Sequence, residues 1–317
     1  MDIDCLCAGI LFADHVCSPV PRVPGAGEVI VADKMQLCLG GCSSNAALDL
    51  TRLGVRTAVA GCVGDDAFGR FIVETLDDGG VQTDDVRRVA GVNSASTMII
   101  NISGQDRRFI CGVGANVNFS VDHIPTDLVA AAKVLYLGGY FMLPGLETAE
   151  MVDLFRAARA AGTRTVLDVV YDDSPDSWDR LAPLLGETDV FLPNDDEARL
   201  LTGLEDPVKQ AERFRDAGAE TVVITMGEKG SLLMSDGLCL TAGTYPSRFV
   251  GGTGAGDAFD AGFIAAMIDD ADHRDCLRWG TAMGASCVRA AGATESVFNR
   301  QEAEAMISEH ILEMKEV

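Results

Sequence analysis

No apolar run in the sequence reaches the roughly 18 residues that a membrane-spanning helix requires, so no membrane is expected as a partner. Positive charge is scarce. There are 25 Lys and Arg against 48 Asp and Glu, for a formal net charge of -23. A field of that sign repels nucleic-acid phosphates and anionic lipid, and nucleic acid is excluded with them. It does not exclude a nucleotide, because a few backbone dipoles and a metal ion outweigh a distant surface charge. Histidine is rare: His15, His123, His273 and His310 are scattered, and the ten cysteines include no C-x-x-C pair. Zinc centres are built from clustered ligand pairs. Cys5, Cys7, Cys62 and Cys287 lie in apolar segments and read as reduced, buried small hydrophobes. Two phosphate-binding signatures are also missing. No G-x-x-x-x-G-K-[ST] occurs, which excludes a P-loop enzyme. The first strand is followed by AGILFADH with a lone Gly9, where a dinucleotide fold places G-x-G-x-x-G.

What is present is a chain of 317 residues, 48% apolar, long enough for a large α/β unit with an accessory element. The opening MDIDCLCAGILFADH carries two acids and lacks the basic start of a secretory leader. A soluble, cytoplasmic protein is expected. Apolar runs alternate with helical patterns. Strands are predicted at Ile3–Phe12, Thr57–Val63, Val134–Leu137, Thr165–Val169, Val190–Leu192 and Thr221–Thr225. Helices are predicted at Ser44–Leu53, Phe68–Leu76, Glu147–Ala160, Asp195–Leu201 and Val208–Ala217, with two long ones at Gly254–Ile268 and His273–Ala291. That spacing implies a mostly parallel sheet covered on both faces. Gly27–Leu39 and Ser96–Ile110 break the pattern and read as antiparallel strands, the second turning at Gly104-Gln105-Asp106. They suggest a small separate sheet acting as a lid over a cleft.

The most informative segment is VGGTGAGDAFDAGF, Val250–Phe263. Gly251, Gly252, Gly254 and Gly256 let the backbone approach a ligand and adopt positive φ. A helix begins at once, with Ala258, Phe259, Ala261, Phe263, Ile264 and Met267 as its apolar set. An anion at that start meets free N–H groups and the positive end of the helix dipole. Asp257 stands at the helix start. A capping role alone would explain it, but an ordinary cap needs no glycine run. Charge developing on a transferring phosphoryl group does need converging donors, and a carboxylate beside them sits where an alcohol must lose its proton.

Two earlier turns stand out. Gly40-Gly41-Cys42-Ser43-Ser44-Asn45 reads as a strand–helix turn with a Ser cap. Gly61–Gly69 reads as another, capped by Asp66. Asn45 lies one turn into an otherwise apolar face (Ala46, Ala47, Leu50, Leu53), where an amide must find a partner. Asp14 lies just beyond the first strand. Ligands gather at the carboxyl ends of strands in open α/β sheets, and a carboxylate with an amide suits a polyol.

These motifs resemble the signatures of the PfkB/ribokinase family of carbohydrate kinases. GTGAGDAF (Gly252–Phe259) together with GGCSSNAALDLTRLG (Gly40–Gly54) is specific. GILFADH at Gly9–His15, LPNDDEARLLTG at Leu192–Gly203 and TMGEKGS at Thr225–Ser231 are similar to the family as well, so the resemblance runs from Ile3 to Asn299. It implies a ribokinase-like α/β fold, residues 1–317, with a small antiparallel β lid inserted from about 14–39 and 95–112. It implies an ATP-dependent, magnesium-requiring kinase of a small sugar (ribose-, fructose- or ketodeoxysugar-like). Asp257 would be the general base, and the N–H groups of Gly254, Ala255 and Gly256 the anion hole. Asp14, Gly40, Gly41 and Asn45 would hold the sugar. Asn194 and Glu197 would place the phosphates and the magnesium, with Glu197 as metal ligand. Thr225, Gly227 and Gly230 would line the nucleotide cleft. Paired lids would form a homodimer.

Two departures stand against the resemblance. Gly251 and Gly252 replace a frequent Asp-Thr, so a monovalent cation beside the loop is not expected to matter much. In DVVYDDSPDSW (Asp168–Trp178), Val170 stands where many members have Asn, and no Arg follows. A nucleoside kinase would need aromatic surfaces, and aromatics are 6% of the chain; Phe12, Tyr140 and Phe141 are the candidates. A sugar-phosphate kinase would need a basic clamp, with Arg22, Lys34, Arg107 and Arg108 as candidates. A non-catalytic sugar-binding protein would need no Asp257.

Overall fold

The structure is a computed structural model describing residues 3–105, 108–170 and 174–317. Asp106 of the expected turn, Arg107 of the possible clamp, and Tyr171, Asp172 and Asp173 of the divergent segment lie outside the described residues.

In chain order the strands are β1 (Cys5–Gly9), β2 (Phe12–Val20), β3 (Met35–Gly40), β4 (Thr57–Gly64), β5 (Val86–Val89), β6 (Ser96–Ile102), β7 (Arg108–Gly112), β8 (Val134–Gly138), β9 (Arg164–Leu167), β10 (Val190–Phe191), β11 (Thr221–Thr225), β12 (Ser231–Ser235), β13 (Leu238–Ala242) and β14 (Met314–Glu316). The helices are α1 (Cys42–Arg52), α2 (Ala67–Asp78), α3 (Thr126–Ala131), α4 (Thr148–Ala161), α5 (Ser177–Leu185), α6 (Asp195–Thr202), α7 (Pro207–Asp216), α8 (Ala255–Ile268), α9 (His273–Cys287) and α10 (Arg300–Glu309).

Among the described residues, ten strands form one sheet in the order β14-β13-β12-β11-β10-β9-β8-β1-β4-β5. Pairing is parallel from β11 through β5 and antiparallel across β12, β13 and β14. The parallel strands are apolar on both faces because helices cover both. In β1, Cys5 and Cys7 enter one core with Leu50, Phe263 and Met283, while Leu6 and Ala8 enter the other with Leu135, Phe155 and Phe214. A second sheet has the order β3-β2-β6-β7. Its outer pairs are antiparallel and its inner pair, β2 with β6, is parallel. No helix of the described residues is long and apolar enough to cross a membrane.

Several elements differ from the sequence reading. The expected strand Ile3–Phe12 splits after Gly9, where the Ile10 N–H bonds the Gly138 carbonyl at 3.2 Å, and Phe12 begins the lid strand β2. Asp14 is therefore a lid residue. Of Gly27–Leu39, only Met35–Gly40 pairs as a strand. Val29 and Val31 are 85% and 88% exposed, since alternation without a partner strand makes no ladder. Strands β5, β12, β13 and β14 had no counterpart in the reading. Helix α9 stops at Cys287 instead of Ala291. Helix α1 carries no Ser cap. It starts on Gly41 at φ 94, and Ser43 Oγ instead donates to the Ala8 carbonyl at 2.7 Å. The Asp66 cap is present, accepting from Gly69 N–H at 2.8 Å.

Candidate active site

The carboxyl ends of β1, β8, β9, β10 and β11 open on one edge of the large sheet. The starts of α1 and α8 and one end of the lid meet them there.

Asp14 on β2 pairs with Cys38 on β3 and Thr97 on β6. It is buried. Burial pushes its carboxyl up to about 7, a hydrogen bond with the Thr97 side chain opposes the shift, and the charge of Asp257 adds to it. Gly40 faces this carboxylate so closely that a Cβ there would stand 2.1 Å from Asp14 Oδ2. The glycine is required by the acid. Gly41 is fixed differently: at φ 94, with a Cβ position 2.5 Å from the Ile10 carbonyl, it turns the chain into α1.

One turn into α1, Asn45 is 3% exposed. Its Nδ2 donates to Asp257 Oδ2 at 2.7 Å, and its Oδ1 has no partner among the described residues. The amide that the apolar face could not accommodate thus orients the acid at the start of α8. Asp257 is the third residue of that helix. Gly254 caps it at φ 79, and a Cβ at Gly254 would lie 2.5 Å from the Ala293 Cβ. The N–H of Ala255, expected in the anion hole, already donates to the Gly252 carbonyl at 3.2 Å. The N–H groups of Gly254, Gly256 and Asp257 have no acceptor among the described residues, as the first turn of a helix leaves them. The space in front of Gly256 is open. Burial raises the Asp257 carboxyl, and hydrogen bonds with the Asn45 and Cys42 side chains partly offset this.

The sequence reading missed Asp168. It follows β9 directly and is buried. Its Oδ2 accepts from the Gly139 N–H at 3.2 Å. Burial, then the charge of Asp257, pushes it up to about 8. The reading carried its strand through Asp168 to Val169, so nothing separated this acid from others near strand ends. Asp260, one turn beyond Asp257, accepts from the Tyr136 hydroxyl at 3.0 Å; burial and the charge of Asp168 hold its carboxyl well above the usual range.

On the adjoining strand ends, Asn194 caps α6. Its Oδ1 accepts from Glu197 N–H, and its own N–H donates to Glu197 Oε2, each at 2.9 Å. Asn194 is bridged to Thr225 at the end of β11. Burial first, then the charge of Asp168, raises the Glu197 carboxyl well above its usual range, with a smaller contribution from the charge of Asp257. Gly227 (φ 56) and Gly230 (φ 90) shape the turn after β11. Gly230 lies against β13, where a Cβ would stand 1.9 Å from the Ala242 carbonyl.

The site has three parts: a lid carboxylate and an amide that can accept and donate to hydroxyls, a carboxylate beside N–H groups without acceptors among the described residues, and a strand-end pair one step along the sheet. The chain is similar to ribokinase of Haemophilus influenzae, 29% identical over 306 residues, covering 93% of this chain and 95% of that protein. It is similar to 5-dehydro-2-deoxygluconokinase of Clostridium perfringens, 28% identical over 277 residues, covering 82% and 80%. The fold matches a solved Arabidopsis thaliana ribokinase complexed with ribose and ATP. That match has a TM-score of 0.82 and 28% identity, and covers 97% of this chain and 99% of the other. The sequence profile of the pfkB family carbohydrate kinases matches residues 3–316, and with a match over nearly its whole length the chain belongs to that family.

Proposed function

We propose that the protein transfers the γ-phosphoryl group of ATP to a hydroxyl of a small, unphosphorylated sugar of ribose, fructose or ketodeoxysugar type. The observation that carries this reading is the Asn45–Asp257 contact at the mouth of α8, beside N–H groups without acceptors. Asp257 takes the proton of the acceptor hydroxyl as its oxygen bonds the γ-phosphorus. The bond to the β-phosphate oxygen breaks, and ADP leaves. The N–H groups of Gly254, Gly256 and Asp257 face the charge that spreads over the transferring group. Asp14 and Asn45 orient the sugar, with Gly40 and Gly41 giving it backbone access. Asn194, Thr225, Gly227 and Gly230 receive the nucleotide. Magnesium fits at Glu197, a carboxylate whose strongest charged neighbour is another acid, Asp168. When bound, the ion would neutralise phosphate charge.

Two observations favour an unphosphorylated sugar. Phe12, Tyr140 and Phe141 are buried, so none offers a free face to a nucleoside base. Arg22 is paired with Glu28 and Arg108 with Gln105, both at exposed positions, so neither forms a phosphate clamp at Asp14. A monovalent cation is expected to matter little beside the loop: Gly251 has no side-chain oxygen, and the Ser286 carbonyl already accepts from Ser296 and Arg289. Two copies joined through the lid are the expected assembly. A coupled ADP-release assay over sugars, nucleosides and sugar phosphates tests the reading. Turnover confined to nucleosides or sugar phosphates would overturn it.

A further inference from the structure

We propose that Cys42, Asp168 and Asp257 form a site for a thiophilic divalent cation of the zinc class, which inhibits the enzyme by occupying its base. The inhibition rests on Asp257 serving as that base; the binding does not.

The Cys42 sulfur and one carboxylate oxygen each from Asp168 and Asp257 all lie within 4.8 Å of one another. Each comes from a separate, fixed element. Cys42 is the first residue of α1, held by the turn at Gly41. Asp168 follows β9 and is anchored by the Gly139 N–H. Asp257 stands in the first turn of α8. Metal–sulfur and metal–oxygen bonds of about 2.3 and 2.1 Å in a tetrahedron put ligand atoms roughly 3.5 Å apart. A shift of little more than about 1 Å, within reach of side-chain rotation, closes the set.

A second observation points to a ligand at the same place. The Oδ1 of Asn45 is buried and without a partner among the described residues, while the same amide is bonded to Asp257 through its nitrogen. The charged groups acting most strongly on Cys42 and Asp168 are acids. No lysine, arginine or histidine neutralises the group from within the described set of those neighbours.

The donor set selects the ion. Magnesium takes oxygen ligands and does not favour sulfur. A borderline-soft ion accepts thiolate and carboxylate together. On binding, the Cys42 S–H bond breaks and its proton goes to solvent, together with the proton that Asp168 holds below about pH 8, while the sulfur and carboxylate electron pairs form the bonds to the metal. Three protein ligands leave a fourth position for water. A carboxylate bound to the ion can no longer take the acceptor's proton, so the ion and the productive sugar complex exclude each other.

The test uses the full-length protein, freed of metal by a chelator and then dialysed. Titration with Co²⁺ should produce a near-ultraviolet thiolate-to-cobalt charge-transfer band that saturates at one ion per chain. Zn²⁺ should displace it, and Cys42→Ser should abolish it. With saturating Mg²⁺–ATP, Zn²⁺ should inhibit competitively against sugar and reversibly with chelator. The inhibition constant, referred to each protein's own uninhibited rate, should rise at least about tenfold in Cys42→Ser, because loss of even an indirect supporting partner costs about 10–100-fold in metal affinity. A missing cobalt band, or one that persists in Cys42→Ser, overturns the site whatever the substrate proves to be. A Cys42-dependent band with zinc inhibition that sugar does not relieve overturns the inhibitory mechanism and leaves the site.

Discussion

At the scale of single residues, the site is a set of acids whose neighbours are mostly other acids, and each makes a testable demand. Asp257→Asn keeps the Asn45 contact in shape but removes the base. Turnover should fall by roughly 10²–10⁴, the usual worth of a positioned general base, while nucleotide binding followed by calorimetry stays near wild type. Normal turnover in that variant would remove Asp257 from the mechanism. Asp14→Ala should raise the Michaelis constant for sugar far more than that for ATP. Gly40→Ala should do the same with the carboxylate still present, because its new methyl group would need the space of Asp14 Oδ2. An effect confined to the ATP constant in either variant contradicts the assignment. Protonation gives a third test. Asp168 is raised to about 8 from an ordinary 3.8, so between those limits the folded state holds a proton that the unfolded chain releases. The group is neutral in both states below about 4, and stability falls as pH rises from there to about 8. Asp168→Asn removes that loss. Melting temperatures of the ligand-free proteins should diverge in favour of Asp168→Asn between pH 5 and pH 8. A constant difference across that range counts against a proton held at Asp168.

At the scale of elements, the loop from Gly251 to Gly254 and the segment after α9 are held together by hydrogen bonds. The single S–H of Cys287 lies between the carbonyls of Thr253 and Ala293, at 3.2 and 3.0 Å. The single O–H of Ser296 lies between those of Ser286 and Cys287, at 2.8 and 3.0 Å. Arg289 donates Nε to the Ser286 carbonyl at 2.9 Å and stacks on Phe298 at 4.2 Å. At fixed ionic strength and saturating Mg²⁺–ATP, potassium should therefore activate weakly or not at all relative to sodium and tetramethylammonium. A strong, saturable rise specific to potassium would show that these carbonyls exchange partners. Periodicity exposed the parallel core strands and the helices, and the glycine run exposed α8 and Asp257, because burial on both faces and a crowded helix start constrain composition strongly. Asn45 was legible as an amide on an apolar face. Other features were not. Ile3–Phe12 is apolar throughout, so nothing in its composition marks where it passes from core to lid. That point depends on Gly9 and on pairing with β3. Val29 and Val31 alternate as a strand would, yet no neighbour reaches them. The Asp236-Gly237 pair between β12 and β13 carries a hairpin signal, whereas the three residues of β14 carry none. Asp168 looks like any acid after a strand until the fold brings Asp257 to it.

At the scale of the whole molecule, the lid sheet presents apolar side chains to solvent on one side: Met35, Leu37, Met98 and Ile110 share a face by register and are exposed. A second copy covering this face gives the expected homodimer. Light scattering at micromolar concentration should report twice the 33.5 kDa of the chain, and a combined Met98→Lys, Ile110→Glu variant should run as the monomer. A wild-type particle of single-chain mass contradicts the pairing. The interior position of β1 carries a consequence for how the protein is made. Its neighbours are β4 on one side and β8 on the other, with Cys5 opposite Thr57 and Val134. The ribosome releases about 5–20 residues each second, so after Cys5 emerges, on the order of ten seconds pass before Val134 follows. Throughout that interval the newborn segment CLCAG has both apolar sides open or half-covered and its two thiols unshielded. Within this sheet β1 is synthesised before every other strand yet is among the last to be enclosed, which gives a chaperone reason to hold it.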